Sequence, residues 1–226
     1  MLKPLPIAID GPSGVGKSVV GRCLAQRLGY AFVDTGAMYR ALTWLALDRG
    51  VDPNDQEGLS RLAAETDITI TRPTMDDGRP YSVFVQGRDV TWAIRRPEVE
   101  AQVSLVSRVP GVRDALVSQQ RVMAEAGGVV MVGRDIGTVV LPRAPLKVYL
   151  VASPEERAMR RFRELRERGE EVDWEALRDE MARRDKIDSE RAHSPLRPAE
   201  DAHIVDTENR TVEEVVEEIE RLLKSS

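Results

Sequence analysis

The first segment that could do chemistry is a glycine-rich turn close to the N-terminus. It reads Gly11-Pro12-Ser13-Gly14-Val15-Gly16-Lys17-Ser18 and matches the pattern G-x-x-x-x-G-K-S/T. In such a loop the backbone N–H groups point inward at a helix N-terminus and bind phosphate. We expect Lys17 to reach the β- and γ-phosphates of a nucleoside triphosphate and Ser18 to hold Mg²⁺. The motif does not say what receives the phosphoryl group.

The second such segment puts two charged residues directly after an apolar run. Val129–Val132 are predicted to form a buried strand, and Gly133, Arg134 and Asp135 follow it. Ligands in open α/β sheets bind beyond the carboxyl ends of the strands, so Arg134 and Asp135 could belong to a binding site. A turn closed by a local salt bridge is the alternative. This segment alone leaves both interpretations open.

The third segment, from Val33 to Arg40, reads VDTGAMYR and is a polar turn that opens a helix. Thr35 could simply cap this helix, with Arg40 on the surface. Alternatively, the helix N-terminus and Arg40 could together hold an acceptor phosphate. With the glycine-rich turn, this leaves two classes of function: a kinase, or a nucleotide hydrolase that acts as a switch or motor. A GTPase is disfavoured because the sequence has no Asn-Lys-x-Asp motif.

Alternating strands and helices must position these segments. The first four predicted elements are a strand over Pro6–Ile9, a helix over Lys17–Leu28 with Gly29 as its C-cap, a strand over Tyr30–Val33 and a helix over Ala37–Arg49. This order is typical of βαβ units, so the predicted fold class is α/β with a parallel sheet core. Further strands of this kind are predicted over Val129–Val132, Leu146–Val151 and Ala202–Val205.

A different pattern interrupts this alternation. Asp67–Thr71 and Tyr81–Val85 alternate like antiparallel strands around a hairpin at Asp76–Gly78, which predicts a small β insertion over about residues 62–95. Helical patterning returns over residues 97–126. The remaining predicted helices run from Pro154 to Arg168 behind a capping box of Ser153 and Glu156, over Asp173–Lys186, and over Thr211–Lys224 behind Thr211 and Glu214.

Composition limits the class of protein. With 226 residues, of which 42% are apolar and 31% charged, the chain can bury one substantial core. The net charge of −5 argues against a nucleic acid polymer as partner. Cys23 is the only cysteine, which excludes an intrachain disulfide and a zinc cluster built from thiolates. We expect a cytoplasmic monomer without a membrane partner, because the sequence shows no secretory signal, no run of ~20 apolar residues and no oligomerisation stripe.

Four segments in this order identify a resemblance. IDGPSGVGKS, DTGAMYRAL, GRDIGTVVLPRAPLKVYL and RRDKIDSERAHSPL resemble the bacterial cytidylate (CMP) kinases, which are P-loop nucleoside monophosphate kinases, and the resemblance covers Ile7 to about Leu223. It implies a single three-layer P-loop kinase domain with a small inserted NMP-binding domain at about residues 62–95 and a helical lid at about residues 153–191. It also implies Mg²⁺-dependent transfer of a phosphoryl group from ATP to CMP and dCMP. A P-loop ATPase, a regulatory nucleotide-binding protein and a broader UMP/CMP kinase are the alternatives.

The resemblance also implies roles for individual residues. The residues implied in catalysis are Lys17, Arg134, Arg184 and Arg191. Those implied in holding ATP are the glycine-rich turn from Gly11 to Ser18 and, in the lid, Arg160. On the acceptor, Arg40, Arg134 and Arg191 hold phosphate, while Thr35, Arg113 and Asp135 surround the cytosine. Ser104 and Asp188 contact the sugar.

The chemistry of CMP agrees with these roles. Cytosine presents a donor at its exocyclic amine, which a carboxylate accepts, and uracil presents an oxygen there. We therefore expect Asp135 and Arg113 to act as a specificity pair, worth ~1–3 kcal/mol against UMP. No general base is needed, because the acceptor phosphate has a second pKa near 6 and is mostly a dianion at neutral pH. We interpret His193 and His203 as structural, and leave Asp34 open between the Mg²⁺ shell and a capping role.

Taken alone, the arginine-rich stretch from Arg157 to Arg168 is a solvated helix face, with Arg160–Glu164 and Arg163–Glu167 as i,i+4 pairs. Beside a phosphate-binding loop, a lid that closes over ATP is favoured instead.

Overall fold

The structure, a computed structural model, describes residues 4–225 and divides into two compact units. Among the described residues, the split unit comprises 4–30 and 127–225, and the continuous unit comprises Ala31–Ala126. The strands are, in chain order, β1 Ile7–Asp10, β2 Ala31–Asp34, β3 Ile68–Thr71, β4 Ser82–Val85, β5 Arg88–Asp89, β6 Val129–Gly133, β7 Leu146–Val151 and β8 His203–Asp206. The helices are α1 Lys17–Leu28, α2 Thr35–Asp48, α3 Gln56–Glu65, α4 Pro97–Ser107, α5 Pro110–Ala124, α6 Pro154–Glu167, α7 Trp174–Glu190 and α8 Val212–Ser225.

A parallel sheet organises the split unit. Its strands lie in the order β6-β1-β7-β8, and β1 pairs in parallel with both β6 and β7. The apolar residues of β1 and β6 are fully buried, as expected for strands covered on both faces. The predicted α/β class with a parallel sheet is confirmed. The first strand was predicted to end at Ile9, but Asp10 is the last residue of β1, because it pairs with Gly133 on β6 and with Tyr149 on β7.

Local signals fix the helix ends of the split unit. Gly29 ends α1 in the left-handed conformation, with φ of 69°, as the C-cap prediction requires. At α8 the predicted capping box is complete: Thr211 Oγ1 accepts the Glu214 N–H at 3.2 Å, and the Glu214 carboxylate accepts the Thr211 N–H at 2.8 Å. The helix then buries Val215, Val216 and Ile219.

The predicted capping box of α6 is only half formed. Ser153 Oγ accepts the Glu156 N–H at 3.3 Å, but the Ser153 N–H donates to Glu208 instead of Glu156. Glu156 is occupied by Arg160, whose Nε lies 2.8 Å from its carboxylate. The predicted pair of Arg160 with Glu164 is therefore wrong: Arg160 reaches back along the helix, and Glu164 pairs with Arg161 and Arg168.

The continuous unit contains a hydrophobic core built mainly from α2, α3, α4, α5 and the small sheet. The predicted hairpin is confirmed, since β3 pairs antiparallel with β4, and β5 adds a third strand. The helical stretch predicted over residues 97–126 is two helices, because Pro110 cannot continue α4 and instead begins α5.

Two helices differ from the sequence-based expectation. The helix α3 was not predicted, although Asp55 caps it by accepting the Gly58 N–H at 2.9 Å. The helix α7 begins as expected behind Asp173, which accepts the Ala176 N–H, but it extends to Glu190 rather than Lys186. None of the helices within residues 4–225 is long and apolar enough to cross a membrane.

The capping box of α8 gives a stability prediction. Replacing Thr211 by Ala removes the acceptor for the Glu214 N–H, and we expect the free energy of unfolding to fall by about 1 kcal/mol. Urea unfolding followed by circular dichroism measures this loss. The control is Glu217→Gln, an exposed change on the same helix, which should alter stability by less than about 0.5 kcal/mol. Equal stability of the two variants would contradict the capping role.

Candidate active site

The glycine-rich turn is held in place by its own backbone geometry and by close neighbours. Gly14 has φ of 74°, and a Cβ at this position would lie 2.7 Å from the backbone oxygen of Arg157. Two carbonyl groups of the turn accept hydrogen bonds from side chains elsewhere in the chain. Arg157 donates to Ser13 O at 3.0 Å, and Thr207 Oγ1 donates to Val15 O at 3.3 Å. The predicted nest for phosphate is therefore a tightly packed loop at the start of α1.

Lys17 lies buried at the base of this loop. Its Nζ donates to the backbone oxygen of Pro12 at 2.5 Å, so the ammonium group is folded back over the turn that it belongs to. Ser18 follows on the exposed side of the first turn of α1. This arrangement can present backbone N–H groups, one ammonium group and one hydroxyl to a polyphosphate.

Two arginines of α6 are tied to the surroundings of the loop. Arg157 is buried, and besides Ser13 O it donates to Asp185 of α7 at 2.6 Å. Arg160 donates to the hydroxyl of Thr207 at 2.9 Å and to its backbone oxygen at 2.7 Å. A Cβ on Gly16 would lie 4.0 Å from Arg160 Nη1, so this guanidinium lies beside the phosphate-binding loop.

A second cluster joins the Gly-Arg-Asp turn to the end of α7. Arg134 Nε donates to the Asp188 carboxylate at 2.9 Å, and Arg191 lies 3.8 Å from both Asp188 and Asp135. Burial alone would raise the pKa of Asp188, but Arg134, Arg184 and Arg191 outweigh burial and lower it. Three guanidinium groups gathered at Asp188 could bind an anionic ligand.

Asp10 lies at the other side of the same turn and was missed by the sequence analysis. It is 4% exposed, and its two carboxylate oxygens accept the N–H groups of Ile136 and Gly137 at 2.8 and 2.7 Å. Burial raises the pKa of Asp10 to about 6, against the lowering effect of these two N–H groups and of Lys17. The only available signal was a carboxylate placed directly before the glycine-rich turn.

The continuous unit carries the remaining predicted residues, beginning with those at the end of β2. Asp34 ends this strand, accepts the Tyr81 hydroxyl at 3.0 Å and lies 3.6 Å from Arg40. Burial alone would lower the pKa of Arg40, but Asp34, Tyr81 and Glu100 raise it, so its charge is firmly held. The buried Arg40 Nε has no hydrogen-bond partner among residues 4–225.

These contacts correct two interpretations. Thr35 could have been the N-cap of its helix by the simpler interpretation of the sequence. In the structure it is the buried first residue of α2 and therefore not the N-cap. The N-cap position belongs to Asp34, whose side chain makes no capping bond within the described chain because it is engaged by Tyr81 and Arg40.

Ser104 and Arg113 lie on the successive helices α4 and α5. Arg113 is buried, donates to the backbone oxygen of Ser107 at 3.1 Å and stacks over the Tyr39 ring at 5.2 Å. The Ser107 hydroxyl in turn donates to the backbone oxygen of Ser104. The structure thus groups the predicted residues into a set within the split unit and a set of Thr35, Arg40, Ser104 and Arg113 within the continuous unit.

Comparison with known proteins identifies the family. A family model described as cytidylate kinase matches residues 7–225. The chain belongs to the cytidylate kinase family. The membership predicted from four sequence segments is therefore confirmed, and it covers both units of this cytidylate kinase family member.

Individual relatives agree with this membership. The chain is 54% identical to a cytidylate kinase of Pelotomaculum thermopropionicum over 94% of this chain and 93% of that protein. It is 50% identical to the cytidylate kinase of Bacillus subtilis over 97% and 96% of the two chains. Among solved structures, an uncharacterized protein from Eubacterium ventriosum covers 99% of this chain and 100% of its own, with a TM-score of 0.53 and 15% identity, and is similar in fold alone.

The oxygen groups near the loop fit a magnesium ion held mainly by nucleotide phosphates. Each carboxylate oxygen of Asp10 accepts one backbone N–H group, from Ile136 and from Gly137. Within residues 4–225 no group of three or more His, Cys, Asp or Glu side chains could hold a metal ion. Ser18 is an exposed residue, and Mg²⁺ commonly keeps waters and takes few protein ligands beside phosphate oxygens.

The raised pKa of Asp10 gives a prediction for this cytidylate kinase family member. Between about pH 4 and pH 6 the folded state holds a proton on Asp10 more tightly than the unfolded state does, so rising pH costs stability. Relative to Asp10→Asn, the wild-type free energy of unfolding should decline across this window, by on the order of 2 kcal/mol. Urea unfolding of both proteins at several pH values measures it, and a constant difference would contradict the shift.

Proposed function

We propose that this protein transfers the γ-phosphoryl group of ATP to CMP and dCMP, giving ADP and CDP or dCDP. The observation that carries this proposal is the placement of a phosphate-binding loop and an Arg134–Asp135 turn after the neighbouring strands β1 and β6, in a chain of the cytidylate kinase family. The loop serves the donor, and the turn serves the acceptor.

The donor side of the proposal uses the loop and its lysine. Backbone N–H groups from Gly11 to Ser18 would cradle the phosphates of ATP, and Lys17 would exchange the Pro12 oxygen for the β- and γ-phosphates. Ser18 would hold Mg²⁺, which when bound neutralises phosphate charge. Arg160 would add a positive charge beside Gly16.

On the acceptor side, the proposal uses the residues that the family resemblance implies for CMP. Asp135 would accept from the exocyclic amine of cytosine, and Arg113 and Thr35 would bind the rest of the pyrimidine edge. Arg40 would bind the acceptor phosphate, which its firmly held charge and the lack of a hydrogen bond at its Nε among the described residues support. Ser104 and Asp188 would contact the sugar.

Catalysis then depends on charge rather than on a general base. The acceptor phosphate is already mostly a dianion at neutral pH, so no side chain has to remove a proton from it. Lys17, Arg134, Arg184 and Arg191 would stabilise the charge that spreads over the transferred phosphoryl group. The cluster in which these arginines surround Asp188 supports this role.

We also propose an NMP-binding insertion and a lid in this chain. Residues of about 62–95 would form the NMP-binding insertion, and about 153–191 the lid. A small apolar cluster of Ala158, Leu165, Leu177 and Met181 packs α6 against α7, so these helices can move as one body. We further propose a cytoplasmic monomer, consistent with the free thiol of Cys23.

An acceptor panel tests the proposed function. Release of ADP should be fastest with CMP and dCMP, and about 10- to 100-fold slower with UMP, because uracil leaves Asp135 facing an oxygen. AMP and shikimate serve as further acceptors, and a reaction without acceptor is the control. Equal hydrolysis of ATP with and without CMP would contradict the proposal and identify an ATPase, whereas equal use of CMP and UMP would identify a broader pyrimidine kinase.

The role of Asp135 has its own test. Asp135→Ala should lower kcat/KM for CMP by about 10- to 100-fold and leave the KM for ATP within about 3-fold, because the change removes the acceptor for the cytosine amine. Glu217→Ala, which removes an exposed carboxylate of α8, should change neither value. Equal losses for CMP and for ATP would show that Asp135 acts on structure or on Mg²⁺ instead.

A further inference from the structure

The turn after β6 has an unusual distribution of hydrogen bonds. Residues Ile136–Val140 form a single π-helical turn, and Asp135 occupies its N-cap position. The first N–H groups of any helical turn lack partners inside it, and an Asp at the N-cap normally supplies one from its own side chain. Within the described residues, the Asp135 side chain makes no such capping bond.

Asp10 supplies these bonds from the neighbouring strand. Its carboxylate oxygens accept the N–H groups of Ile136 and Gly137, the first two residues of the turn. Both bonds are buried and involve a carboxylate, which makes them stronger than bonds between neutral groups. The capping position is therefore served by a residue 126 positions away in the sequence.

We infer that Asp10 is a positioning residue for acceptor recognition: by capping the turn in place of Asp135, it keeps the Asp135 carboxylate from folding back onto its own backbone and directs it to the base of the acceptor. This inference rests on the proposed function. It assigns Asp10 to the acceptor side, although Asp10 adjoins the donor loop in the sequence.

The packing around Gly137 shows how tightly this arrangement is held. A Cβ at Gly137 would lie 3.4 Å from the Asp10 carboxylate and 3.2 Å from Lys147 Cδ. Lys147 has little freedom to move away, because its Nζ donates to Pro142 O at 2.6 Å and to Asp201 at 2.7 Å. A methyl group at this position would be crowded by the Lys147 side chain and would contact the Asp10 carboxylate.

The decisive variant is Asp10→Asn, which keeps the size of the side chain but turns one acceptor oxygen into an NH₂ donor. One N–H of the turn then lacks a partner, and Asp135 is the nearest side chain in sequence to replace it. We expect kcat/KM for CMP to fall about 10-fold or more, the preference for CMP over UMP to narrow, and the KM for ATP to stay within about 3-fold.

A double-mutant cycle separates this role from a general structural one. If Asp10 acts through Asp135, then Asp10→Asn in the Asp135→Ala background should cost less than about 3-fold in kcat/KM for CMP. The matched control is Asp55→Asn, which also changes a carboxylate that accepts a backbone N–H, at the cap of α3, and should leave kinetics unchanged. Additive losses from Asp10→Asn and Asp135→Ala, or a selective loss of ATP binding, would overturn the inference.

The activity of the wild-type protein separates failure of the proposed function from failure of the inference about Asp10. A wild-type protein that does not phosphorylate CMP would refute the proposed function and this inference together, whereas an active wild type with an additive cycle would refute the inference alone. If Asp10→Asn does not fold, Gly137→Ala is measured instead. This variant should lower kcat/KM for CMP, reduce the preference for CMP over UMP and leave the KM for ATP unchanged. Full activity of Gly137→Ala toward CMP would then overturn the inference.

Discussion

The parallel pairing of β1 with its two neighbours is the constraint on which the site in the split unit depends. Because parallel strands bring their carboxyl ends to one edge of a sheet, the turns that follow β1 and β6 begin side by side. The pairing of Asp10 with Gly133 fixes this relation residue by residue. The glycine-rich loop and the turn that carries Arg134 and Asp135 are therefore adjacent because of the strand order. The helices α1 and α7 add further residues to these two segments.

Two buried carboxylates at this edge differ in the environment that surrounds them. Asp188 lies among arginines that lower its pKa, so it remains charged and holds Arg134 in place. Asp10 is held by backbone N–H groups, and burial still raises its pKa. In the proposed function, Asp188 would hold the arginines that bind phosphate, and Asp10 would hold the backbone of the turn that carries Asp135.

The sequence was informative wherever the determining interaction is local. The phosphate-binding loop, the Gly29 cap and the Thr211–Glu214 box all lie within a few residues, and each was predicted. Asp10 and Arg157 were missed because their partners lie 126 and 144 residues away, so no spacing pattern reveals them. The pairing of Arg160 was predicted in the wrong direction because α6 has a glutamate four residues away on either side. In the structure Arg160 bonds Glu156 and the distant Thr207, which no local pattern reveals.

The central claim is that the Asp10-capped turn presents Asp135 to the cytosine amine. A crystal structure with CMP and a non-hydrolysable ATP analogue tests it most directly. We expect an Asp135 oxygen within about 3 Å of the exocyclic amine, with the Ile136 and Gly137 N–H groups still on Asp10. An amine bound by other groups, or an Asp135 carboxylate turned onto its own helical turn, would contradict the account.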